Sequence, residues 1–355
     1  MAQAMKDYLN SVNELSDAER KQLDDLKKAH SYVEKHKPLV THIYTADPSA
    51  HVFEGKIYVY PSHDIETDNS SINDQGDHFA MRDYHVLSLD NVTDEVMDHG
   101  VALSLDDIKW ASKQLWAPDA AHKNGKYYLY FPARDLEGIF RIGVASSDSP
   151  VGPFIAEQNY IVNSFSIDPA VFEDDDGSYY LYFGGLWGGQ LQNWHQGQFS
   201  LTEHYPAQNE PALPAKMAKL SVDMLSFAEE VQDIVILDET GKPITVADNQ
   251  RRFFEASWVH KYNGRYYFSY STGDTHNIAY AIGDNPYGPF TYQGVILNPV
   301  LGWTSHHSIV FHQGKWFLFY HDSTLSGGQT HLRCIKKTEL LHDENGRIST
   351  ITAYE

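Results

Sequence analysis

The sequence predicts an all-β fold, a five-bladed β-propeller with a short N-terminal helical extension, and three observations predict it. A turn glycine running into an aromatic strand recurs five times, and a second motif recurs twice downstream of the hairpins. Aromatic residues make up 13% of the chain, with 23 Tyr, 17 Phe and 7 Trp, which suits pleated, half-buried surfaces and disfavours disorder.

In chain order, Ser16 to Glu19 reads Ser-x-x-Glu, a capping box, and Leu23, Leu26, Ala29 and Val33 follow at helical spacing. A helix is therefore expected over residues 16 to about 35, ended by Pro38. Residues 1–37 form an N-terminal helical extension on this reading, and 38–355 the propeller domain. From there, five hairpins are read at Gly55-Lys-Ile-Tyr-Val-Tyr60, Gly125-Lys-Tyr-Tyr-Leu-Tyr130, Gly177-Ser-Tyr-Tyr-Leu-Tyr182, Gly264-Arg-Tyr-Tyr-Phe-Ser269 and Gly314-Lys-Trp-Phe-Leu-Phe319. The segments 145–154 and 281–290, each ending in Gly-Pro-Phe, read as third strands with their exits. The turn glycines are 70, 52, 87 and 50 residues apart, close to a blade of about 40 to 50 residues plus insertions. The longest interval holds an insertion at about 186–216 that should sit on one rim. A β-sandwich is the structural alternative, but sandwich strands do not usually repeat as matched hairpins.

Composition narrows the partners. A net charge of -21 repels nucleic acid and anionic membrane surfaces, and no run approaches the ~18 apolar residues of a membrane span. Cys334 is the single cysteine, so no intrachain disulfide forms, and the N-terminal thirty residues hold no apolar leader; both lead to the expectation of a cytoplasmic protein. Assembly into a homo-oligomer is left open.

If the blades are equivalent, one register of each first strand meets near the axis. That register holds Asp47, Ala117, Asp168, Glu255 and His306. Carboxylates converging in a low-dielectric funnel repel one another, a cost that packing does not require. Glycoside hydrolysis does require an acid for the leaving oxygen and a carboxylate to activate water or attack the anomeric carbon.

These residues and their contexts resemble glycoside hydrolase family 43. The resemblance is carried by Asp47-Pro48-Ser49, Trp116-Ala117-Pro118-Asp119, Ser166-Ile-Asp168-Pro169, Phe254-Glu255 and Ser305-His-His-Ser-Ile309, in that order from about residue 40 onward. It implies a five-bladed propeller that inverts anomeric configuration, with Asp47 as general base, Asp168 as pKa modulator and Glu255 as general acid. It further implies substrate contacts from Trp116, His306 and Arg333, and a divalent cation such as Ca²⁺ held by His306 in the central channel, with His307 as the alternative counterpart. No organic cofactor is implied. Asp174, Asp175 and Asp176 read as an acidic hairpin turn rather than calcium ligands.

The function expected is hydrolysis of terminal β-D-xylosyl residues from short xylooligosaccharides, a small-molecule substrate. α-L-Arabinofuranosidase action, alone or alongside, is the alternative, followed by arabinanase or galactan hydrolysis on the same carboxylates. A non-catalytic sugar-binding propeller would have no use for acids at three equivalent blade positions. Trp187 and Trp194 in the insertion are candidate aromatic walls for a pocket closed at one end.

Overall fold

The structure is a computed structural model that describes residues 16, 20–21, 24–25, 28, 31–67, 72–90 and 95–355. Five hairpin-based sheets form the blades. Blade 1 comprises strands Tyr44–Phe53, Lys56–Asp64, Asp83–Leu89 and Met97–Ser104. Blade 2 is built on Asp119–Lys123, Lys126–Asp135 and Phe140–Ser147, and blade 3 on Ala170–Glu173, Tyr179–Phe183, Ala215–Lys219 and Gln232–Ile234. Blade 4 comprises Phe253–Tyr262, Arg265–Thr272, Ile278–Gly283 and Phe290–Leu297, with Ile236–Leu237 added in parallel at its outer edge. Among the described residues blade 5 has three strands, His307–His312, Lys315–Asp322 and Cys334–Leu340, one fewer than blades 1 and 3. The five innermost strands touch in cyclic order, with His307–His312 against Tyr44–Phe53 closing the ring.

The repeated glycines act through their backbone. Gly55, Gly125, Gly264 and Gly314 have φ between 74° and 83°, and the residues before them, Glu54, Asn124, Asn263 and Gln313, lie at 48° to 53°. Two successive left-handed residues in a two-residue loop make the turn whose twist matches antiparallel strands. The third hairpin differs: Glu173 pairs with Tyr179, and the intervening acidic turn is anchored by Lys261, whose Nζ reaches Asp174 at 2.9 Å and Asp175 at 2.6 Å.

Apolar clusters span neighbouring blades: one holds Tyr60 and Leu129, another Leu181 and Phe268, a third Tyr280 and Leu318, and a fourth Val59 and Phe319. The last tyrosine of three repeats also stitches one blade to the next. Tyr60, Tyr130 and Tyr182 are fully buried, and their hydroxyls donate to the carbonyls of Pro150, Met224 and Pro286 at 2.7, 2.8 and 2.7 Å. Each buried hydroxyl thus has a partner, and each ring fills an inter-blade space.

At the N-terminus, residues 20–21, 24–25 and 28 are helical, and Arg20 N–H donates to the Ser16 carbonyl at 3.0 Å. Glu19, Leu23, Leu26 and Ala29 lie outside the described residues. The helix does not reach residue 35 as the spacing suggested. Val33 is exposed, and Glu34 bridges Tyr354, so the chain there already pairs with the C-terminus. Leu39 N–H donates to the Ile335 carbonyl at 2.8 Å, tying the same segment to blade 5.

Candidate active site

Each of the three axial carboxylates stands where the inner ladder breaks. The blade 1 register shifts between Ala46 and Ser49, and Asp47 has φ 48°. Asp168 has φ 57° just before Pro169, and Glu255 sits between two register shifts with Ala256 at φ 62°. Left-handed backbone at non-glycine residues is uncommon, and bulges re-aim side chains out of the ladder. Here they turn Asp47, Asp168 and Glu255 toward one pocket, which Ala117 and His306 also line. The five residues of the predicted axial register therefore share one cavity.

Asp47 is held on both oxygens. Oδ1 accepts from Arg333 Nη1 at 2.9 Å, and Oδ2 accepts from Ser62 Oγ at 2.7 Å. Its backbone N–H donates to His321 Nδ1 at 2.9 Å, which leaves the His321 proton on Nε2, 3.2 Å from the Thr304 carbonyl. Burial, the largest single influence, would raise the Asp47 pKa, but the Arg333 guanidinium together with His321 and His306 outweighs it and holds the carboxyl well below the ordinary range.

Asp168 and Glu255 go the other way. Burial and then the Asp47 charge push Asp168 well above its usual value, although its Oδ2 accepts the Ala256 N–H at 2.9 Å. Burial, followed by the charges of Asp168 and Asp47, likewise pushes Glu255 well up. One pocket thus holds a carboxylate kept ionised and a carboxylic acid kept protonated, the division of labour that acid–base catalysis needs.

His306 stands between them, its Nδ1 3.7 Å from Asp47 Oδ1 and 3.9 Å from Asp168 Oδ2. Burial lowers its pKa to about 4, so the imidazole is neutral near pH 7 and able to act as a ligand. His307 is turned away into the protein, with Nε2 2.6 Å from Ser269 Oγ.

Arg333 is 2% exposed, and besides Asp47 its Nε and Nη2 donate to Asp64 Oδ2 and Oδ1, each at 2.8 Å. Trp116 lines the pocket edge, its indole N–H donating to the Phe79 carbonyl at 2.8 Å. A Cβ on Gly76 would come 2.7 Å from the Trp116 ring, so glycine permits this packing. Trp187 also lines the pocket, stacked on Trp303 with centroids 5.1 Å apart. Trp194 does not: it packs on Phe165 at 4.7 Å and against Arg141, so that expectation is corrected.

Sequence reasoning missed Asp64, His321 and Trp303. A signal for Asp64 exists. The second strands of blades 1 and 2 end alike, as Tyr60-Pro-Ser-His-Asp64 and Phe131-Pro-Ala-Arg-Asp135, and blade 5 ends its own with His321-Asp322. A buried acid closing three equivalent strands marks a position that needs a partner, and each has a cation: Arg333 for Asp64, Arg141 for Asp135 and Lys336 for Asp322.

Residues 36–344 match the family model for glycosyl hydrolases family 43. The chain is 60% identical over 314 residues to a xylosidase/arabinosidase of Bacteroides ovatus, covering 88% of this chain and 96% of that protein. It is 54% identical to a β-xylosidase of Xylanibacter ruminicola, covering 87% and 97%. Among solved structures, a family 43 β-xylosidase/α-arabinofuranosidase from a compost microbial metagenome, in complex with xylotriose and in calcium-free form, superposes with a TM-score of 0.88 at 64% identity, covering 91% of this chain and 99% of that one. Fold, axial carboxylates and relatives agree: this chain is a glycoside hydrolase and belongs to glycosyl hydrolases family 43.

Proposed function

We propose that the protein is an inverting exo-glycosidase that removes terminal β-D-xylosyl residues from short xylooligosaccharides, with α-L-arabinofuranosides as second substrates of the same pocket. The observation that carries the chemistry is the opposed protonation of Asp47 and Glu255 at one cavity. Glu255 gives its proton to the glycosidic oxygen as the bond to the anomeric carbon breaks. Asp47 takes a proton from a water whose oxygen attacks that carbon from the opposite face, so the product is inverted. Asp168, when ionised, keeps Glu255 protonated by like charge, and Arg333 keeps Asp47 ionised.

The sugar class rests on the relatives, which are named for xylosidase and arabinosidase activity. Exo action is supported by the pocket walls. Two aromatic pairs, Trp187 with Trp303 and Phe79 with Trp116, line the cavity, which suits a single terminal sugar ring against aromatic faces. A cytoplasmic setting belongs to the same proposal, supported by a single cysteine whose thiol is buried.

A Ca²⁺-class cation fits the floor of this site. His306 offers a neutral nitrogen beside two carboxylates, at separations too long for direct hydrogen bonds and suited to a hydrated ion. His306 would hold it, and its charge would favour the ionised forms around it. Incubation with xylobiose, xylotriose and polymeric xylan tests the proposal. Xylose released from the non-reducing end with little loss of xylan viscosity is expected; rapid viscosity loss with mixed oligosaccharides would overturn exo action.

A further inference from the structure

Outside the pocket, blade 1 brings together a second set of ionisable side chains that the hydrolysis does not use. His63 is the last residue but one of strand Lys56–Asp64, and Asp83 opens strand Asp83–Leu89, with His85 two residues further on the same pleated face. His63 Nδ1 lies 2.6 Å from Asp83 Oδ1, and His85 Nε2 lies 3.9 Å from the same oxygen. One donor atom from each of the three falls within 4.8 Å of the others, and the rings of His63 and His85 are 4.6 Å apart. The three side chains are 12% to 25% exposed, which leaves solvent access on one side.

An outer carboxylate fixes the arrangement. Asp98 Oδ1 lies 2.9 Å from His85 Nδ1 and accepts the Gly100 N–H at 2.8 Å, while Oδ2 lies 2.8 Å from His42 Nε2. The blade 1 register shifts on both sides of His85, which is what lets Asp98 reach it. An ionised carboxylate only accepts, so His85 donates through Nδ1 to Asp98, and Nε2 is the ring nitrogen turned toward Asp83, 3.9 Å from its Oδ1 and beyond a direct hydrogen bond.

We propose that His63, Asp83 and His85 form a site for a divalent transition-metal ion of the zinc class, with Asp98 orienting His85 and water completing the shell. Two imidazoles and a carboxylate are donors that suit Zn²⁺, and a carboxylate behind a ligating histidine is its usual support. On binding, the ion replaces the proton now shared by His63 and Asp83, and that proton leaves to solvent. The site has a structural consequence. Asp83 directly follows the described residues 72–82, which carry Asn73, Gly76, Phe79 and Met81 to the pocket wall, and His63 holds Asp83 from the neighbouring strand. A bound ion staples the base of this wall without touching the reacting atoms.

The test uses chelator-treated full-length protein titrated with Zn²⁺ alone, followed by calorimetry and thermal unfolding. One saturable equivalent with a raised Tm is expected, lost in His85→Ala and in Asp83→Asn, and weakened by about 10- to 100-fold in Asp98→Asn. All three variants should still hydrolyse substrate, which controls for folding, and Asp98→Asn keeps the test usable if the other two fold poorly. His306→Ala should leave the zinc equivalent in place. Absence of saturable binding, binding unchanged in His85→Ala and Asp83→Asn, or binding lost in His306→Ala would each overturn the site.

Discussion

Arg333 Nη1 lies 2.9 Å from Asp47 Oδ1, and the rest of the same guanidinium is clasped by Asp64. This buried Asp–Arg–Asp chain keeps Asp47 charged in a place where burial alone would protonate it. The ion pair joins blade 5 to blade 1, so the ring closure that completes the fold also sets the ionisation of the proposed base.

Removing the guanidinium should raise the Asp47 pKa, because its charged form loses its partner. Arg333→Ala should therefore move the acid limb of the kcat/KM profile to higher pH and destabilise the fold by about 3–5 kcal/mol, since two buried carboxylates lose their counter-charge. In the intact protein the Asp47 carboxyl is depressed, so its contribution to stability is present above the unfolded value and lost only as pH falls through the lower folded one. An acid limb that stays put in Arg333→Ala would separate Arg333 from the protonation of Asp47.

Glu255 is raised by burial and by the charges of Asp168 and Asp47, and its protonated form is the active one. Asp168→Asn removes one of those charges, so the Glu255 pKa should fall and the alkaline limb should shift to lower pH, with reduced activity. Burial remains, so the shift is partial. An alkaline limb unmoved by this change would show that Asp168 acts only through its hydrogen bond to Ala256.

Glu255→Gln should cost about 10²–10⁴-fold on natural xylosides and far less on aryl glycosides with good leaving groups, because its task is to protonate the departing oxygen. Asp47→Asn should damage both substrate types alike, as water activation is needed whatever leaves. Parallel losses in the two variants on both substrates would contradict the assigned roles.

Tyr130→Phe should lower stability by about 1–3 kcal/mol in urea unfolding, because the buried Met224 carbonyl loses its donor at a blade junction. kcat for xylobiose should be nearly unchanged at a temperature where the variant is folded. Lost activity with unchanged stability would mean that the tyrosine does more than hold blades 2 and 3 together.

The fold was legible because four of the five blades repeat the same local device. A left-handed pair before an aromatic strand is a backbone requirement that only a few residue types meet, so Glu54-Gly55, Asn124-Gly125, Asn263-Gly264 and Gln313-Gly314 show in the sequence. The axial residues Asp47, Asp168 and Glu255 were legible through the same register. Asp64 and His321 were not, because their roles depend on contacts with Arg333 and Asp47 made across the closing blades, far apart in sequence. Trp194 was misjudged for a similar reason: the insertion folds back, and its aromatic ring finds Phe165 before it finds the pocket. Among the described residues the third strand of blade 5, Cys334–Leu340, is followed by no fourth, and the N-terminal segment pairs there through Leu39 instead, a contact the repeat does not announce.

The central claim is that Asp47 activates water against Glu255 as acid, which fixes the stereochemistry of the product. Proton NMR of xylobiose hydrolysis, recorded before mutarotation, tests it most directly. The account predicts α-xylose as the first-formed sugar from the non-reducing end. First appearance of β-xylose there would show retention and contradict it.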